Sequence, residues 1–252
     1  PLVGRVVFRV KAGVNFGDLY PDWTVGNEAA VAGLDRNGAS RFFLFLHYMD
    51  PHDPYFPHPY DGTGYARVEH PHPDPSEAPA LKQLYAGEVT YWDEHFGRLM
   101  AWLRQQGLDE NTVVVVVSDH GEELGESGVY NHRYSLSDSV LQVPLMIRMP
   151  GGEGGGRRVR ETVALVDVMP TLLKLAGAVV PTEARGSDLL VPRTESLAFS
   201  EGPLREISAR GAAGRLTFSG VGADSPYLPE LLRVADLGGP AFWWSESLPK
   251  AN

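Results

Sequence analysis

The 252-residue chain contains no cysteine. That excludes a disulfide scaffold and any thiolate-bound metal, while leaving the compartment open. No apolar run reaches the roughly 18 residues that a membrane-spanning helix needs, and no signal peptide opens the chain. Basic residues are scarce: 22 Lys and Arg stand against 32 Asp and Glu, for a net charge of −10. With no basic stripe, general nucleic-acid binding is excluded as a function class. The chain also starts without methionine, which leaves room for a leader or an N-terminal segment ahead of Pro1. What it does have is apolar residues, 43% of the total, enough to build one large α/β domain or two small ones.

The most informative stretch is Val113–Glu123, VVVVVSDHGEE. Its β-branched run has no alternation, which is how a strand buried on both faces of a parallel sheet reads. The run ends at Ser118 and is followed by Asp119, His120 and Gly121. In open α/β sheets, ligands bind beyond the carboxyl ends of strands. Oxygen and nitrogen donors on neighbouring residues suit a divalent cation. The bland alternative is a polar turn in which Asp119 caps a following helix.

A second apolar strand, Phe42–Leu46, ends in the same way: His47, Tyr48, Met49, Asp50, Pro51, His52, Asp53, Pro54, Tyr55. The prolines stiffen this loop, and His52, held between them, is a candidate anion contact. The segment from Phe56 to Pro79 reads as a long loop; in it, His58, His70 and His72 offer a weak H-x-H metal-ligand pattern but read as solvated, with a role of the loop in substrate selection as the functional alternative. Ala80–Gln106 has apolar residues at three- and four-residue spacing, which predicts an amphipathic helix stopped by Gly107. Asp93, Glu94 and His95 on that helix read as surface or structural.

Further on, Asn131-His132 lies in a Gly-rich turn. Ser135–Leu141 reads as a short helix and Val143–Met149 as a strand with Pro144 at its start. A helix follows from about Asp167 to Gly177. Strand, crossover and helix in this order predict a parallel sheet. Trp23–Leu34 reads as a helix and Val3–Val10 as a strand. Leu197–Ser200, Glu206–Arg210 and Arg215–Gly220 read as a small antiparallel set. Two parts are expected: residues 1–195, an α/β catalytic domain, and 196–252, a small C-terminal subdomain or tail.

Taken in order, FFLFLHYMDPHDPY, the Tyr85–Asp93 helix segment, VVVVSDHGEELGE, the Asn131-His132 pair, VPLMIRMPG and VDVMPTLLKLAG resemble the sulfatases of the alkaline-phosphatase superfamily across about residues 40–178. Residues 197–237 resemble that family's small C-terminal subdomain only loosely, through Ala235-Asp236-Leu237. The resemblance implies a mostly parallel sheet between helices and hydrolysis of sulfate monoesters with a divalent metal. Calcium is the usual ion, with Mg2+, Mn2+ and Zn2+ as alternatives. It implies metal ligation by Asp119 and His120, the latter standing where many relatives have Asn. It further implies that His52 contacts the sulfate ester, that His132 acts near the leaving-group oxygen, and that His47 supports substrate binding. A sulfated small molecule or glycan is the implied partner.

One departure matters. The family's nucleophile lies in a C/S-x-P-S-R motif modified to formylglycine, beside an Asp pair that completes the metal site. This chain has no such motif. The expectation is therefore a C-terminal portion of a catalytic domain, inactive as it stands. Phosphoester or phosphonate hydrolysis, phosphoglycerol transfer within the same superfamily, and a catalytically inactive binding module are the alternatives.

Overall fold

The computed structural model describes residues 7–11, 23–37, 41–49, 51–58, 74–126, 128–132, 135–193, 197–202, 206–212 and 214–218. Residues 3–6 of the expected first strand, Asp50, residues 59–73 with His70 and His72, and residues 219–252 lie outside the described residues, so the readings placed on them have no structural counterpart. The chain divides into two compact units. The first comprises Pro1–Ser118, Glu122–Asn131 and Pro144–Arg157; the second comprises Asp119–Gly121, His132–Val143 and Arg158–Asn252.

In the first unit, β1 (Val7–Lys11) and β2 (Phe43–His47) pair in parallel, Val7 opposite Phe43 and Lys11 opposite His47. Helix α1 (Trp23–Asn37) makes the crossover, as parallel pairing requires. Helix α2 (Ala78–Gln105) follows and runs 28 residues. Its buried positions, Leu81, Glu88, His95, Leu99 and Leu103, fall seven, seven, four and four apart, one stripe of a 3.6-residue helix. Leu99 and Leu103 pack with Leu34 of α1 and with Leu44 and Leu46 of β2.

Gly107 ends α2, as the sequence predicts. At φ 67° it adopts the left-handed conformation open to glycine. The Leu108 and Gly107 amides donate to the carbonyls of Leu103 (2.9 Å) and Arg104 (3.1 Å), the paired closure of a Schellman motif. Strand β3 (Val114–Val117) then pairs antiparallel with β4 (Leu145–Arg148). Arg148 fixes this pair to the turn before β3, donating to the Asp109 carbonyl at 3.1 Å and to its carboxylate at 3.0 Å.

The α/β class expected from the sequence holds, with β1 and β2 parallel, but β3, expected in a parallel sheet, pairs antiparallel with β4, and burial differs from expectation as well. The two strands were expected to be covered on both faces. Leu44 and Leu46 meet the helices, whereas Phe43 is 51% and Phe45 47% exposed. Successive strand side chains point to opposite faces, and among the described residues helices cover one face of β2 only. Val117 on β3 and Met146 on β4 are exposed too, although their register puts them on opposite faces of that pair.

The second unit holds α3 (Asp138–Leu141), a 3-10 turn at Leu165–Asp167, α4 (Val168–Leu175) and an antiparallel sheet of β5 (Ala198–Gly202), β6 (Glu206–Gly211) and β7 (Gly214–Phe218). The antiparallel set read from the sequence is thus present. Buried Asp167 organises the start of α4: its carboxylate accepts from the Ala164 amide (2.9 Å), the Ser187 amide (2.7 Å) and Arg193 (3.1 Å). Gly177 closes α4 with the same motif as Gly107.

Leu99→Ala is expected to cost about 3 kcal/mol, within the range for truncating a buried leucine. Phe45→Ala, on the exposed face, is expected to cost under about 1 kcal/mol. Urea denaturation of both variants checks the contrast.

Candidate functional site

The segment after β2 is fixed at both ends. Ahead of His52, the Tyr48 hydroxyl donates to Asn27 Oδ1 at 2.8 Å, and Asn27 Nδ2 donates to the His95 carbonyl at 2.9 Å. Burial pushes the Tyr48 hydroxyl well above the usual phenol range. After His52 comes Tyr55, 1% exposed, whose hydroxyl donates to Glu122 Oε2 at 2.9 Å. Burial first, then the Glu122 charge, push Tyr55 upward as well, so both phenols keep the proton they donate.

His52 itself is half-buried. Its amide donates to the Met49 carbonyl at 2.7 Å. Its Nδ1 lies 2.7 Å from the Asp53 carbonyl and 3.3 Å from the Asp53 carboxylate. A carbonyl can only accept, so in this contact Nδ1 carries the hydrogen.

His120 repeats this arrangement: its Nδ1 lies 2.9 Å from the Gly121 carbonyl. The carbonyl sets the tautomer, and the lone pair of the neutral ring falls on Nε2, the form in which histidine ligates a metal. Asp119 Oδ1 accepts from the His120 amide at 3.1 Å and lies 3.9 Å from His120 Nε2. The Asp119 side chain is 81% exposed. No helix begins at Asp119, so the capping alternative is overturned. A carboxylate oxygen and an imidazole nitrogen from adjacent residues form a donor set that fits part of a divalent cation's shell.

His132 reaches His120. Their rings stack with centroids 4.0 Å apart and 25° between planes. The turn between them, Glu123–Asn131, is closed by the Leu124–Tyr130 bridge and by the Asn131 amide donating to the Glu123 carbonyl at 2.9 Å. Asn131 adopts φ 71°, a conformation that Asn tolerates better than most residues.

In the second unit the structure thus stacks His132 on His120, with the exposed Asp119 carboxylate, among the described residues, beside His120 only. His52 stands in the first, on the segment that Tyr55 joins to Glu122. His47, at the end of β2, is exposed and tilts against Phe45 at 6.1 Å. Asp93 and Glu94 are exposed and His95 is buried, in line with the surface-or-structural reading.

His58 departs from the solvated reading. Its side chain is 14% exposed, its Nε2 lies 3.2 Å from Glu88 Oε2, and its ring stacks on Tyr91 at 3.9 Å. The reason is Glu88, fully buried on α2, which the sequence reading passed over. The signal was available: Glu88 falls on the apolar stripe seven residues from both Leu81 and His95. Fully buried Glu123 was passed over too.

Residues 25–178 match the family model described as Sulfatase. Among curated proteins, the chain is similar to steryl-sulfatase of Rattus norvegicus, 32% identical over 178 residues that cover 64% of this chain and 28% of that protein. It is also similar to N-acetylglucosamine-6-O-sulfatase of Bacteroides thetaiotaomicron, 35% identical over 105 residues, 42% of this chain and 19% of that protein. The chain therefore spans under a third of the length of either relative. A solved structure in complex with its substrate D-glucosamine-2-N,6-O-disulfate superposes with TM-score 0.56 at 17% identity, covering 86% of this chain and 69% of that one. That likeness shows a shared fold.

Gly121 is the residue on which the second unit's cluster depends. Its amide donates to the Val140 carbonyl at 2.7 Å, and a Cβ added there would stand 2.0 Å from the Ser139 carbonyl oxygen. Gly121→Ala is expected to displace the Asp119–Gly121 segment and to break the His120–His132 stack. Loss of ring-to-ring cross-peaks in NMR, with a lowered melting temperature, checks this.

Proposed function

The chain belongs to the sulfatase family, and from that premise we propose that it forms part of a hydrolase that cleaves sulfate monoesters of a small molecule or glycan. The observation that carries this reading is the run of family-matched residues, 25–178, which contains the adjacent pair Asp119 and His120, and His132, whose ring stacks on that of His120. We assign the residues as follows.

Asp119 and His120 hold a divalent cation, calcium by family resemblance; the His120 nitrogen also admits Mn2+ or Zn2+, and Mg2+ remains the other alternative. When bound, such an ion supplies Lewis-acid polarisation of the ester oxygens. The formylglycine nucleophile of the family has no counterpart motif in this sequence, so the activity is proposed for the complete protein.

His52 binds the sulfate oxygens. With Nδ1–H committed to the Asp53 carbonyl, an N–H at Nε2 requires the imidazolium form, which adds charge to the hydrogen bond. His47 supports binding from the same segment. His132 gives a proton to the leaving oxygen as the S–O bond breaks, or stabilises the negative charge that develops there. Its ring stacks on that of His120 with centroids 4.0 Å apart.

In the complete protein, Asp119→Ala is expected to abolish metal-dependent hydrolysis of an aryl sulfate; full activity without the carboxylate would refute the metal assignment. His52→Ala is expected to weaken inhibition by sulfate or vanadate about tenfold or more, the scale of one hydrogen bond to a charged group. Unchanged inhibition would count against the anion contact. Faster turnover of an aryl phosphate than of the aryl sulfate would favour the phosphoester alternative.

A further inference from the structure

We propose that Glu88 is a positioning residue for the anion-binding segment: from the middle of α2 it holds residues 51–58 in the conformation that presents His52. The proposal rests on the reading of His52 as the sulfate contact.

Glu88 is 0% exposed, and burying a carboxylate is costly unless hydrogen bonds compensate. The position itself does not call for an acid. It lies on the stripe occupied by Leu81, Leu99 and Leu103, where an apolar side chain would pack without that cost. What Glu88 gains is contact with the segment after β2. The Phe56 amide donates to Oε1 at 2.6 Å, and His58 Nε2 stands 3.2 Å from Oε2. One carboxylate therefore engages the chain on both sides of Pro57.

The neighbouring turns of α2 complete the grip. Tyr85, one turn earlier, meets Tyr55 edge-to-face at 5.8 Å and 87°. Tyr91, one turn later, stacks on His58 at 3.9 Å and 6°. Residues at i, i+3 and i+6 of one helix thus hold Tyr55, Phe56 and His58. His52 lies three residues before Tyr55 and four before Phe56. Without this clamp the stiff Pro51–Pro54 segment would pivot as a body, because its prolines limit internal rotation but not its placement.

A purely structural role would make the apolar replacement harmless to anion binding. The clamp predicts the opposite, a fold retained with the site loosened. The test uses the complete protein with Glu88→Leu, which fills the stripe without an acceptor, and Glu88→Gln, which keeps an oxygen for the Phe56 amide. Three quantities are read: melting temperature, hydrogen exchange of the 51–58 peptide by mass spectrometry, and the inhibition constant of inorganic sulfate against aryl sulfate turnover. Glu88→Leu is expected to melt close to the parent, to exchange faster over 51–58, and to weaken sulfate inhibition about tenfold to a hundredfold, as for other residues that orient a ligand-binding group. Glu88→Gln is expected to fall between the two. Sulfate inhibition unchanged in both variants, or lost only in step with the melting temperature and without faster exchange over 51–58, would overturn the clamp. A parent enzyme that inorganic sulfate does not inhibit would overturn the anion reading of His52 and the clamp with it.

Discussion

The hydrogen bond from Tyr55 to Glu122, 2.9 Å long, joins the segment after β2 to the segment after β3. The two bonded residues are 67 positions apart in the chain, and among the described residues no strand pairing connects the two segments. The bond is sheltered: Tyr55 packs with Leu81, Leu124 and Tyr130. In such surroundings a hydroxyl–carboxylate bond is stronger than it would be in water, and leaving either partner alone would be costly. Both residues stand close to histidines given roles in the chemistry, Tyr55 three positions after His52 and Glu122 two after His120. A pair of this kind fixes where two loops meet with few degrees of freedom left over.

The first unit places an unusual load of acid in its interior. Asp53, Glu88, Asp109 and Glu123 are all under 9% exposed. Each that has described partners spends its oxygens on backbone amides, histidine or arginine near a loop or turn: Glu88 on Phe56 and His58, Asp109 on Arg148. A hydrophobic side chain would stabilise the same positions by packing alone, but it would not fix the direction in which a loop leaves its strand. Stability is given up for placement, which is the exchange expected where polar groups must be held in a fixed geometry.

Much of this was legible in the sequence because the signals were local. Five valines ending in Ser118, an apolar stripe at helical spacing, and a glycine just past the last apolar residue each point to one structure. Gly107 and Gly177 close their helices with the bonds such glycines permit. What was not legible depended on partners far away in the chain. His58 reads as solvated because its neighbours are Pro, Tyr and Asp; only the fold reveals Glu88, 30 residues on, beneath it. The exposure of Phe43 and Phe45 was hidden for a related reason: an apolar strand reads the same whether one face or two are covered. Likewise, no feature within Val143–Met149 tells whether β4 pairs parallel or antiparallel, since that direction is set by how the intervening chain returns.

The donor set at Asp119 and His120 constrains how the second unit could hold an ion. A calcium ion takes six to eight oxygen ligands, and two adjacent side chains offer one carboxylate and one nitrogen. Asp119 is largely exposed, so water competes for its oxygens and screens its charge. Tight binding under the proposed assignment therefore needs more oxygen donors around the same point, and the ion's affinity would rise with each donor brought into place. That coupling makes geometry decisive. His120 contributes only while the Gly121 carbonyl holds its ring, and Gly121 can stand against Ser139 only because it lacks a side chain. Under the proposed assignment, the imidazole of His120 trades an oxygen donor, of the kind calcium takes, for a softer nitrogen. The trade moves preference away from calcium and toward transition metals, the direction in which imidazole-containing sites differ from all-oxygen ones.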